Sequence, residues 1–401
     1  MTLAQTEPKA IKIWNTDVKA VYLGSTKVRP KPDTRTFTIS WTEASSMSSG
    51  WTYSDDATGL TAGSTDFDEF FWYSGVRLSA SWVETASVAQ STPWTLDITQ
   101  LGTLTSGDNV MIKFPVIWVK MSKAGSTVTL SLTRELNKTW YQYYAFSRGT
   151  TGSPVLKNAL YLGVYKWYTD SWVLKSWSGQ SPTTIQTQST FITQARANDN
   201  NDGSAGYDII WFYQRMFVNA LYIMKYWDPN SQSVIGMWYS GWSAKKNTGG
   251  TDSTTDATYG GSSTTQVKLF WLEDWWWNVS EWLWGACVIG NSLYLYTALS
   301  WFTGTATNSS PYSNTGSSIT TTSGYYSMSS IVGNNEAMFA PTATVSSYTQ
   351  YYCDYANVAK SMILHAGGYW NQGTVAGVFC TDYATSETAG YSNNGARLMY
   401  L

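Results

Sequence analysis

Apolar and polar positions along this chain fall mostly into short strand-like runs, and one long stretch carries a helical period. The first thirty residues read as short strands closed by the breaker Pro30-Lys31-Pro32. "TRTFTISW" then alternates Thr with apolar residues, as a half-buried strand should. "GVRLSASWVETASVA" and "PWTLDITQL" continue the β pattern across Gly/Ser/Asp loops, so residues 1–95 are expected to form an all-β module. In "GDNVMIKFPVIWVKMSKAGSTVTLSLTREL" two strands are expected around a loop at Ser122–Gly125, with the apolar run Val110–Val119 in mid-sheet.

The helical period lies in "YDIIWFYQRMFVNALYIMKYW". Ile210, Tyr213, Phe217, Leu221 and Met224 recur at steps of three and four, Asp208 is placed to cap the start, and Asp228-Pro229 stops the run. A shorter second helix is expected at "LEDWWWNVSEWLW", with Trp275, Val279 and Trp282 on one face and acids at its start. Two polar stretches, "SAKKNTGGTDSTTDATYGGSSTT" and "TGTATNSSPYSNTGSSITTTSG", read as long loops too polar to pack.

Composition narrows the function classes. A chain of 401 residues is expected to hold two or three domains. With 25 basic and 27 acidic residues it lacks the basic footprint of a nucleic-acid binder. Aromatics at 16% can build a large core despite polar loops. Cys287, Cys353 and Cys380 are too scattered for a disulfide framework or a Cys-x-x-Cys zinc site. The start lacks a basic segment followed by an apolar core, and the most apolar stretch is broken by Glu273, Asp274 and Glu281. Neither secretion by a signal peptide nor membrane insertion is therefore expected; the chain stays in the cytoplasm or leaves it by assembly into a virus particle.

Candidate chemistry is sparse. His365 is the only histidine, so a triad or multi-histidine metal site has almost no material. Asp66, Asp68 and Glu69, and the neighbours Glu273 and Asp274, offer carboxylate pairs of the kind a glycosidase places across a cleft, although adjacent acids at a helix start are more often caps. Acid-bearing loops offer oxygens for a structural calcium; no other cofactor is implied. Nucleotide-binding glycine motifs and a Gly-x-Ser-x-Gly elbow are absent. The C-terminal stretch interleaves Gly, Ala, Val and Phe with Tyr, Ser, Thr, Asn and Gln. That is the composition of an adaptable binding surface on a rigid frame, and equally of a polar strand-and-loop end of a β-rich domain.

Several segments carry a family resemblance. "LEDWWWNVSEW" resembles a helix motif, E-D-x-x-G-N-V-x-E-W, of the formylglycine-generating-enzyme-like branch of the C-type lectin fold. "YYCDY", then "GGYWNQGTVAGVF" and "GARL", resemble the closing segments of variable proteins of diversity-generating retroelements, many of which are phage tail-fibre receptor-binding proteins. "GDNVMIKFP", "FYQRMFVNALYIMKY" and "NSQSV" are similar to upstream parts of the same family, so that the likeness spans roughly residues 100–401. It implies an α+β fold: a C-type-lectin-like domain over 96–401, with two helices and twisted antiparallel sheets, preceded by an N-terminal attachment module at 1–95.

The resemblance further implies a non-enzymatic adhesin at a virion tail tip, binding a host cell-surface protein or glycan. The N-terminal module would join other tail proteins, and tail-fibre analogy implies a homotrimer. Gly367-Gly368, Trp370, Gly373, Ala376-Gly377-Val378-Phe379 and Gly395-Ala396-Arg397-Leu398 match the family's fixed frame. Tyr369, Asn371, Gln372, Thr374, Thr381, Tyr383, Thr385, Ser386, Thr388 and Tyr391 fall where the family varies, and are the candidate ligand-binding residues within 367–397. The enzymatic branch uses a paired-cysteine copper site that these three cysteines do not match, so catalysis is not carried over; an oxidase or glycosidase, and a purely structural virion protein, are the rival expectations. Trp277, Trp167 and Trp211 stand where the family keeps Gly. This raises the expectation that some of the 23 tryptophans are glycines in the natural protein, ordinary divergence being the alternative, and that Trp277 and Trp211 will be unusually exposed or crowded.

Overall fold

The computed structural model describes four short strands before residue 31, then residues 33–44, 50–91, 95–199, 206–236, 244–260, 266–297, 312–319, 326–346, 350–357 and 362–401. Of the expected breaker, Pro30 ends the strand Thr26–Pro30, while Lys31 and Pro32 lie outside the described residues. The chain is mostly β, 39% strand against 15% helix, and four α-helices occur among the described residues. The expected α+β class with two helices is thereby corrected.

The second expected helix accounts for much of the difference. Asp274, Trp277 and Asn278 take positive φ, which no helix admits, and the chain enters a ten-residue strand at Ser280–Ile289. Almost every side chain of that strand is buried, on both faces. A strand buried on both faces shows no alternation, so its clustered tryptophans mimic a helical stripe.

Three sheets dominate. A four-stranded antiparallel sheet runs 118–124, 127–133, 36–42, 52–55. A six-stranded one runs 207–209, 398–400, 159–163, 109–115, 74–78, 84–89. The expected run Val110–Val119 is divided between these two sheets, because Pro115 closes one strand and Trp118 opens the next. The six-stranded sheet also pairs Ser74–Leu78 with Asn109–Pro115, so strands on both sides of residue 95 share one ladder. A nine-stranded mixed sheet carries 280–289 near its middle, flanked by 292–296 and 362–366.

The long helix forms where the period placed it. Helix α3 is Phe212–Tyr226, after α1 (Thr65–Phe71) and α2 (Gln188–Arg196) and before the short α4 (Ser231–Val234). Asp208 is not its cap: it lies in the strand Tyr207–Ile209 and pairs with Arg196 at 2.7 Å. All but the last residue of α3 are buried. One side meets the six-stranded sheet, with Phe217 edge-on to Phe114 (5.9 Å) and Phe146 (4.9 Å); elsewhere Tyr222 reaches Phe379 and Asn219 bonds the Val378 carbonyl. A helix enclosed all round is apolar all round, and its few polar groups must be paired.

One such pair ties α1 to α3. Lys225 Nζ meets both oxygens of Asp68 at 2.6 and 2.7 Å, and the Tyr73 hydroxyl donates to the same carboxylate. Asp68, read in the sequence as half of a candidate acid pair, is thus a structural anion. Lys225→Met strands it, and the variant is expected to lose about 3–5 kcal/mol of stability in urea denaturation, with part recovered by adding Asp68→Leu.

Candidate ligand-binding surface and its buried clamp

The strand Ser280–Ile289 holds both ends of the C-terminal segment. Glu281 lies opposite Ala366 of the antiparallel strand Met362–Ala366, and opposite Gly395 of the parallel pair Asn394–Gly395. Residues 367–393 therefore run between two points of the sheet on either side of one glutamate, contributing the strand Thr381–Thr385 to the same sheet on the way. Gly367 is required at the exit: its φ is +88°, and a Cβ there would lie 2.8 Å from the Trp275 carbonyl oxygen. Gly377 is required further along, where a Cβ would meet Asp354 Oδ1 at 2.1 Å.

Glu281 is fully enclosed and meets three cations from three distant segments. One oxygen accepts from Lys166 Nζ (2.9 Å) and Arg397 Nε (2.7 Å), the other from Arg215 Nη1 (3.0 Å). Burial alone would raise its pKa; Arg397, Lys166 and Arg215 overcome that and hold it down to about 2. Burial pushes Lys166 down to about 8 against the pull of Glu281. Arg397 also donates to the carbonyls of Gly163, Val164 and Glu273 at 2.6–2.9 Å, so its planar fork fastens the chain's end to three backbone turns.

A second carboxylate site backs the first. Glu273 accepts from the amides of Gly249 and Thr251, the Thr251 hydroxyl and Gln266, all within 3.0 Å. Burial, reinforced by Asp274, raises it to about 8. Thr248 and Thr251 are buried here, so part of the first polar stretch, expected to be unable to pack, does pack, by wrapping a buried acid. Glu273 and Asp274 are wholly enclosed and face no groove. Cys287, Cys353 and Cys380 are buried thiols, and no disulfide occurs among the described residues.

The frame residues of the terminal segment are enclosed: Gly367, Gly368, Trp370, Ala376–Phe379 and Gly395–Leu398 are buried, and Gly373 alone is half-buried. Among the varied positions, Thr381 and Tyr383 are also enclosed, at 3% and 0% exposure. The other eight reach the surface. Asn371, Thr374, Thr388 and Tyr391 are exposed; Tyr369, Gln372, Thr385 and Ser386 are half-buried.

Hydrogen bonds connect the two loops that carry these eight. Trp370 N donates to the Asn278 carbonyl, and the Asn278 amide pairs both ways with the backbone of Lys246. Lys245 Nζ reaches the Thr184 hydroxyl at 3.1 Å and the Pro182 carbonyl, while Ile185 N donates to the Tyr391 carbonyl. Loops 369–374 and 385–391 are thus held around one stretch built from 183–187, 245–246 and Asn278. Sequence reading missed Lys166, Arg215, Glu281 and Glu273 as organisers. For Lys166, Arg215 and Glu281 the signal was a lone charge inside an apolar run, conspicuous in a chain only 13% charged; for Glu273 it was an acid pair in such a run. No protein-family model matches the chain, and no curated protein matches it.

Arg397→Met removes one of three cations from Glu281 and orphans several buried carbonyls. It is expected to cost about 3–5 kcal/mol, read as the shift in guanidinium midpoint. A separate test uses pH. Burial pushes His365 down to about 3 from its ordinary 6.5, so as pH falls below 6.5 the unfolded chain binds a proton that the folded chain refuses. His365 alone lowers stability by up to about 1.4 kcal/mol per unit as pH falls, while Glu273, whose pKa burial raises, contributes a slope of the opposite sign above its ordinary 4.5. Below 4.5, Glu281 adds to the loss, since its folded pKa of about 2 lies under its ordinary value. With one histidine in the chain, the stability of the parent relative to His365→Phe in urea should drop by up to about 1.4 kcal/mol per unit as pH falls from 6.5 to 4.5, while both chains keep the acid limb of Glu281.

Proposed function

We propose that the protein is a non-enzymatic receptor-binding protein, a phage tail-tip adhesin whose terminal segment is diversified by a retroelement to bind a host-surface protein or glycan. One observation supports this reading above the others. The resemblance divides the segment into frame and varied positions without reference to shape, and the frame, Gly373 excepted, falls inside the fold while eight of ten varied positions reach its surface. Loop-borne residues on a rigid scaffold can change without disturbing the core.

The chemistry of the surface is suited to neutral recognition. Tyr369 and Tyr391 provide aromatic area at low entropic cost; Asn371, Gln372, Thr374, Thr385, Ser386 and Thr388 provide adaptable hydrogen bonds. Their loops bring a single acid, Glu387. Attachment of the N-terminal part to other virion proteins, and trimeric assembly, belong to the same proposal by analogy alone.

The test compares the parent with a variant carrying Ala at the eight accessible varied positions. Both are applied to immobilised bacterial surface glycans and surface proteins. The parent is expected to retain at least one target that the variant loses by tenfold or more, with an unchanged denaturation midpoint. Equal binding by both chains would contradict the proposal.

A further inference from the structure

The backbone, independently of the proposed function, singles out a set of tryptophans. Eighteen described non-glycine residues have positive φ, and seven are tryptophan: Trp72, Trp82, Trp140, Trp172, Trp227, Trp271 and Trp277. Asn, the side chain that best tolerates this region, supplies only three. A bulky residue there is a steric outlier, because its Cβ crowds the following carbonyl.

Four of the seven local settings call for glycine on their own account. Trp72 (φ 46°, ψ 49°) and Trp227 (φ 44°, ψ 14°) are the left-handed residues that end α1 and α3, their amides donating back to Asp68 and Ile223. Glycine is the usual occupant of that position. Trp172 and Trp271 are second in two-residue hairpin loops, Ser171-Trp172 between paired Asp170 and Val173, and Phe270-Trp271 between paired Leu269 and Leu272. Both loop residues have positive φ, the signature of the type I′ turn, where X-Gly is strongly preferred. The chain's own hairpin at Gly290-Asn291 meets the same demand with glycine followed by asparagine, the non-glycine residue that best tolerates positive φ.

Burial adds a second, separate sign. The indole nitrogens of Trp118, Trp167, Trp211, Trp271, Trp276 and Trp282 are enclosed and find no hydrogen-bond partner among the described residues. Buried tryptophans ordinarily place that donor on an acceptor. Trp41 and Trp275 do so here, donating to the Tyr352 hydroxyl and Asn219 Oδ1. Their φ values are not positive, and Trp275 also stacks under Arg215 at 4.1 Å.

We infer that glycine is the natural residue at Trp72, Trp82, Trp140, Trp172, Trp227, Trp271 and Trp277. The gene would use UGA as a glycine codon, read as tryptophan in this chain, while true tryptophans such as Trp41 and Trp275 are encoded by UGG. One consequence touches the surface. The exposed tryptophans Trp72, Trp82, Trp140 and Trp172 all belong to the set, so they are not ligand platforms. The exposed apolar side chains left at the candidate binding surface are Tyr391 and its neighbour Ile185, at 52% and 67%.

Two measurements test this. In the full chain, Trp→Gly at all seven positions is expected to raise the melting temperature by on the order of 5 °C or more, whereas Trp41→Gly and Trp275→Gly each lower it. A seven-position variant that melts no higher than its parent would overturn the backbone reading. Peptide masses of the protein from its natural source decide the identity. Glycine masses at 172 and 271, with tryptophan at 41 and 275, are expected; tryptophan at all four would overturn the inference even if the variant gained stability.

Discussion

One carboxylate, Glu281, sits out of reach of water and is surrounded by Lys166, Arg215 and Arg397. Removing four charges from solvent is costly, and a buried ion cluster contributes little net stability over a well-packed apolar one. Its value here is specificity of placement. An anion held by three cations tolerates no other arrangement, since any displacement leaves a bare charge in a low-dielectric interior. Through those contacts helix α3, the loop after Ala159–Gly163, the strand Ser280–Ile289 and the chain's end are fixed to one point.

That point lies at the root of the terminal segment. Strand pairing around Glu281 sets both its ends, Gly367 permits the exit, and Arg397 secures the return. Between them, Trp370, Ala376, Val378 and Phe379 pack inward against α3 and its surroundings. The outward positions are left with little to do for folding. A scaffold of this kind separates stability from surface chemistry, which is the physical requirement for the diversified binding surface proposed above.

Long-range order was poorly legible in the sequence, and local order was legible only where one segment carried a clear period. The 3.6-residue period of α3 and the alternation of Thr36–Thr42 are signals that a single segment carries by itself. "LEDWWWNVSEWLW" misleads because strands buried on both faces and buried helices share a uniformly apolar pattern, and only the positive φ values at Asp274, Trp277 and Asn278 separate them. The frame of the candidate surface was visible through resemblance, as was the outward character of Asn371 or Tyr391. The enclosure of Thr381 and Tyr383 was not, because it depends on the strand Thr381–Thr385 lying between Met362–Ala366 and Tyr355–Asn357. The ion cluster draws its members from residues 166 to 397, and no local pattern records such a meeting.

The central claim is that the buried clamp, and not the outward side chains, determines whether the terminal segment folds. The most direct measurement is the denaturation midpoint of a set of full-length chains in which Tyr369, Asn371, Gln372, Thr374, Thr385, Ser386, Thr388 and Tyr391 are randomised together. Midpoints clustered within about 0.5 kcal/mol per substituted position of the parent, with no member unfolded, are predicted. A broad collapse of stability across that set, comparable to losing a cation from Glu281, would contradict the account.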